Sequence, residues 1–190
     1  MNKNLYQNTS FKNINFAEKS PIAQEFENCE FIGCTFMEVN LSAILFSDCN
    51  FTGCDFSMAR ITGTSFQHTS FKECKLLGLH FEDCNSFLLS LHFEVCILNF
   101  SSFQKLELKN LHFHDCELRE ADFTEAKLPN AVFSNCNLNG ASFVNTHLFK
   151  ADFRTAYNFS LDPEMNRIKK AQFAMPGIIG LLDKYDIVIE

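Results

Sequence analysis

His112 and His114 flank Phe113 in the stretch HFHDC, with Asp115 beside them and His92 and Glu94 one stretch earlier. Imidazole and carboxylate are ordinary ligands for divalent metals and ordinary acid–base groups. Nine cysteines are the second set with chemical potential, opening with Cys29 and Cys34 in FENCEFIGCTF. Structural zinc sites want CxxC pairs, and none occurs. An odd number of thiols does not close a disulfide set. Glu117, Glu120, Asp122 and Glu125 are candidate paired carboxylates, but acid–base work needs a cleft that perturbs their pKa. There is no GxSxG, no glycine-rich phosphate loop and no HExxH. The residues therefore read as carrying no catalytic site, no metal and no cofactor. An enzyme using the His92, His112 and His114 face stays open as an alternative, tested by metal analysis.

The arrangement that positions these side chains repeats every five residues. Phe11, Phe16, Phe26, Phe31, Phe36, Leu41, Phe46, Phe51, Phe56, Ile61, Phe66, Phe71, Leu76 and Phe81 fall on one count. Pro21 breaks it, and after Phe81 it slips by two and resumes at Leu88, running by fives to Phe153. Cysteine, alanine or threonine commonly stands two residues before a counted position. A period of five fits neither helix nor plain strand. It suits a short extended piece followed by a turn, four of which close a square coil that stacks into a solenoid. Residues one coil apart should then match. Phe31, Phe51, Phe71, Phe93, Phe113, Phe133 and Phe153 form a column of Phe, and Cys34, Cys54, Cys74, Cys96, Cys116 and Cys136 a column of Cys. Both read as core, the thiols acting as small buried apolar groups. The histidines and carboxylates then point outward from a filled prism.

The pattern resembles the pentapeptide-repeat family, whose motif is A(D/N)Lxx with a central Leu or Phe. ADFTEAKLPNAVFSNCNLNGASFVNTHLFKADF, residues 121–153, carries it almost without fault. The resemblance covers roughly 11 to 157. It implies an all-β fold, a right-handed quadrilateral β-helix of about seven coils with a short C-terminal helical cap. Residues 1–157 form the helix, irregular near 19–24 and slipped near 82–87, and 158–190 form a capping and dimerisation segment. In that segment Asp162-Pro163 reads as the start of a short helix to about Lys170, Pro176 as the start of a second, and IVIE as a final strand. Ile178, Ile179, Leu181, Leu182, Ile187, Val188 and Ile189 are its apolar residues.

Outward slots hold a few apolar residues, among them Leu77, Phe87, Ile97 and Phe100. Exposed apolar clusters mark contact surfaces, unless the slipped segment near Phe87 folds over them. The net charge of −7 argues against direct nucleic-acid binding through phosphates. The N-terminus lacks an apolar signal region and no stretch is long enough to span a membrane, which reads as cytoplasmic. The tail and the coils are similar to the quinolone-resistance and albicidin-immunity branch of the family. That likeness implies a bacterial, homodimeric DNA mimic binding DNA gyrase or topoisomerase IV. Its quinolone-resistance members carry long projecting loops, which this chain lacks. A scaffold for an unrelated protein partner remains the alternative.

Overall fold

The computed structural model describes residues 5–18 and 23–188. Pro21 and Ile189 lie outside them. The chain winds into a right-handed square prism whose coils pair in parallel across its sides, save for one antiparallel bridge, Gln67 to Leu89, at the slipped segment. One side opens with a four-stranded sheet of Leu5–Gln7, Glu25–Glu27, Leu45–Ser47 and Ser65–Gln67. The next side carries a seven-stranded sheet from Ser10–Lys12 to Val132–Ser134. Its register sets Phe31 against Phe51, Phe71 against Phe93 and Phe113 against Phe133. The third and fourth sides are held by isolated bridges such as Asp55 to Lys75 and Ser102 to Asp122. These sides are called first to fourth below, in chain order from the one bearing Phe26.

The backbone explains the period. At most corners the residue two past each central position has left-handed φ, between 49° and 60° at Asn8, Asn13, Asn28, Gly33, Glu38 and Ala43. Such backbone is disfavoured for L residues by about 1–2 kcal/mol. Coil-to-coil hydrogen bonds hold it, the corner amide itself donating in Asn28 N–H to Ser47 O at 2.9 Å and Asp48 N–H to Gln67 O at 2.9 Å. Three extended residues bury one central side chain, and the corner turns the chain onto the next side.

Inside, Phe rings stack up each side and meet edge-on between sides. Phe31 and Phe51 have centroids 4.6 Å apart with planes 15° apart, and Phe31 meets Phe36 at 5.7 Å and 67°. The whole column from Phe31 to Phe153 is buried, as are all six thiols from Cys34 to Cys136. The thiol slot has a backbone duty. Cys54 Sγ donates to Phe31 O at 3.3 Å and Cys74 Sγ to Phe51 O at 3.4 Å. Thr64 and Thr146 do the same by hydroxyl, to Leu41 O at 2.8 Å and Phe123 O at 2.9 Å. Where alanine occupies the slot the side-chain donor is missing and the carbonyl keeps a backbone partner: Leu118 O, the equivalent acceptor for Ala141, takes Ala121 N–H at 3.2 Å.

The sequence expectations need correction at the slip and in the tail. Leu88 is 55% exposed with φ 57°, not a core residue. The two extra residues are absorbed in a turn, and Leu91 and Phe93 are the first inward residues after it. The tail does not enter a helix at Pro163. Instead the prism makes another turn: His147 pairs with Arg167 and Asp152 with Gln172. Phe173 stacks on Phe153 at 5.3 Å. Asp162 Oδ1 accepts the Glu164 N–H at 2.8 Å, and Asn166 Nδ2 donates to Phe143 O at 2.7 Å and Asp162 O at 2.9 Å. These bonds make a tight turn, with Asn166 in the slot that cysteine fills elsewhere. Phe159 and Leu161 fill the core where Asn158 and Pro163 do not.

A 3-10 helix over Met175–Leu181, with a second over Asp183–Tyr185, closes this end. Ile187 and Val188 are not in a strand. The closure is tight because Gly180 lies against Phe159: a Cβ there would stand 2.0 Å from the Phe159 carbonyl oxygen. Leu161 N–H donates to Gly180 O at 2.9 Å.

Candidate interaction surface

With the interior filled, only the outward slots can act. On the second side His112 pairs in register with His92, ring centroids 6.3 Å apart, and His114 Nε2 lies 3.0 Å from Asp115 Oδ2. Glu94 is held by Lys72 at 2.7 Å, which keeps its carboxyl below the usual range. No group of three or more His, Cys, Asp or Glu among the described residues is arranged to hold a metal ion. The thiols are buried, and loss of solvation pushes Cys49 up to about 12 and raises Cys34 and Cys84.

The third side holds an apolar patch. Ile97 pairs with Lys75 and Glu117 in the coils either side, and Leu77 is half-buried beside it. Phe100 is 58% exposed and Met58 64%. Phe87 does not join them. It lies on the first side, on a segment whose Asn85 N–H and Ser90 N–H donate to Thr64 O and Phe66 O. The slipped segment therefore leaves the third-side patch open.

Charge is sorted by side, which a linear reading cannot see. Lys109, Lys127, Lys150, Arg167, Lys169 and Lys170 all project from the last coils of the first side. The corner between the third and fourth sides carries Glu117, Glu120 and Asp122 within one coil, with Arg119 bound to Glu117 at 2.9 Å, and Glu125 follows at the next corner. Burial pushes Asp122 up, but the hydroxyl and N–H of Thr124 and the amide of Gln104 outweigh it and hold the carboxyl below its ordinary value. Asp152 is held down by Arg154, bound at 2.7 Å. An open hollow of about 500 Å³ at the corner between the fourth and first sides is lined by Glu125, Lys127, His147, Glu164 and Arg167 among others.

At the C-terminal end Leu181 packs on the core. Ile178 and Ile179 are exposed, Leu182 is half-buried, and Ile187 and Val188 project into solvent. Lys184 ties this segment to the last coil, 2.8 Å from both Asp162 and Glu164. No helix among the described residues is long and apolar enough to cross a membrane.

The fold and its surface define a repeat-built β-solenoid whose variable chemistry is all external. The family model for a pentapeptide repeat region matches residues 24–91 and 86–157, and the chain belongs to that family. A trypsin-treated variant of QnrB1, a plasmid-mediated fluoroquinolone resistance protein, aligns with TM-score 0.51 and 21% identity over 100% of this chain and 95% of that one. Full-length QnrB1 gives 0.45 and 18% over 96% of this chain and 100% of that one. HetL, a pentapeptide repeat protein involved in heterocyst differentiation regulation in the cyanobacterium Nostoc sp. strain PCC 7120, gives 0.40 and 15% over 88% and 84%. At these identities the likeness concerns the fold. No curated protein sequence matches the chain.

Proposed function

We propose that this protein is a non-catalytic DNA mimic that binds a type II topoisomerase, DNA gyrase or topoisomerase IV, in the bacterial cytoplasm and protects it from inhibitors. The observation that carries the reading is the sorting of charge. Six cations gathered on the first side leave the corner between the third and fourth sides with Glu117, Glu120 and Asp122 against one paired cation, Arg119, and this acidic corner is the part that faces a basic DNA-binding saddle. The lowered pKa of Asp122 keeps that carboxylate ionised at neutral pH. The resistance role described for QnrB1 supports the same partner class. Leu77, Ile97 and Phe100 supply apolar contact beside that corner. Ile178, Ile179, Leu182, Ile187 and Val188 form the end at which two copies meet head to head, so that one acidic rod becomes twice as long.

The test is a gyrase supercoiling assay with purified protein, with and without a fluoroquinolone. Slowed supercoiling or rescue from the drug is expected, and Glu117→Lys combined with Glu120→Lys should abolish either effect. Full supercoiling and undiminished drug sensitivity at every protein concentration would remove the topoisomerase reading.

A further inference from the structure

The first side has features that the topoisomerase reading leaves unused. It is divided by charge along its length. Glu25, Glu27 and Asp48 stand on its early coils and the six cations on its late ones. Of those six, Lys127 alone is ion-paired among the described residues, to Glu107. Between the halves the ladder breaks. No backbone hydrogen bond among the described residues joins 85–90 to 107–110. The break leaves a groove of about 240 Å³ with Leu89 and the buried Leu91, Leu108 and Leu111 at its floor and Glu107 and Lys109 among its polar edges. Beside it stands Phe87, 67% exposed.

A knob next to a hole, with opposite charges at equal distances on either side, is self-complementary. We propose that the first side is a lateral self-association face, on which a second copy of this chain lies antiparallel. A two-fold axis across the side, midway between the coils of Leu89 and Leu108, places each Phe87 over the other copy's groove. Counting coils outward from that axis sets Glu27 opposite Lys169 and Asp48 opposite Lys150. Isologous contact of this kind closes at two copies. An apolar centre ringed by charge is the usual anatomy of an interface. The eight first-side coils that overlap, from Phe26 to Ile168, at ~4.8 Å and each showing roughly 12 Å of strand, offer about 460 Å² per copy. That is at the low end for specific association, so the contact is weak, reversible and salt-dependent. It is separate from head-to-head contact at the C-terminal end, which is apolar.

The test is sedimentation velocity of the full chain at about 50 and about 500 mM salt, where exposed charges are respectively felt and screened. Association that weakens with salt is expected. Phe87→Asp should weaken it by about tenfold or more, whereas Ile179→Asp should leave the salt-sensitive step intact. Glu27→Lys and Lys169→Glu should each weaken it and together restore it. All these residues are exposed, so circular dichroism should be unchanged. Association indifferent to salt and to Phe87→Asp, or a charge-swapped pair no better than its single variants, would overturn the proposal.

Discussion

Replacing Phe113 by Ala measures how far the ring column holds the prism together. Phe113 is fully buried, stacked on Phe93 at 5.2 Å and Phe133 at 5.3 Å, and edge-on to Phe103 at 5.6 Å and Phe123 at 6.1 Å. Truncating a buried Phe to Ala costs about 3–5 kcal/mol through lost transfer energy and the cavity left behind. The upper part of the range applies, because coils locked by hydrogen bonds above and below cannot collapse into the gap. For a chain of this size that corresponds to a fall in Tm of roughly 6–20 °C. Phe113→Leu should cost less than about 1.5 kcal/mol, since Leu108, Leu128 and Leu148 fill the equivalent central slots of the first side. Urea unfolding followed by far-UV circular dichroism, at matched transition slopes, reads both values. An Ala variant within about 1 kcal/mol of the parent, or a Leu variant as damaged as Ala, would refute the ring column as the main cohesive element.

Other perturbations probe the cap, the thiols and the ion pairs. Gly180→Ala forces a methyl group into the Phe159 carbonyl and should undock the 3-10 helix, seen as faster amide exchange at Leu161 and a lower Tm. The nine thiols are buried and desolvation holds Cys49 near 12. A disulfide reagent at pH 8 should therefore find almost none reactive until the chain is unfolded. Lys184 holds the Asp162 and Glu164 carboxyls below their ordinary range and is itself raised by them. The carboxylates' contribution is present above their ordinary values and is lost as pH falls through the depressed ones. That of Lys184 is present below the ordinary lysine value and is lost as pH rises through the raised one. Stability scanned against pH should fall at both limits, and Lys184→Met should flatten both falls.

The repeat was legible because core side chains recur in kind as well as in place: a Phe every coil and a thiol two residues before many central slots leave one way to fold the chain. The final turn was harder to read. Asn158 and Pro163 occupy its central positions, while the signal that continued was Ile168 and Phe173, still in phase with Phe153, and Ala156 and Ala171 in the small slot. Leu88 misled because its type fits the count. Only the ladder shows that its backbone has left the wall. The surface was the least legible part. Neighbours such as Lys127, His147 and Arg167 are separated by a full coil in sequence, so cations that read as interspersed along the chain stand together on the prism. Phe87 matches Ile97 and Phe100 in type, yet the winding puts it on a different side.

The hydrogen bonds at 85–90 also show how this architecture changes length. Two surplus residues are accommodated at one corner, and every later coil keeps its phase, from Phe93 against Phe71 to Phe173 against Phe153. Growth of such a rod is therefore quantised: whole windings can be gained or lost in steps of ~4.8 Å, while stray insertions are shed outward as decoration. Reach and ornament become separate, independently adjustable traits of the same chain.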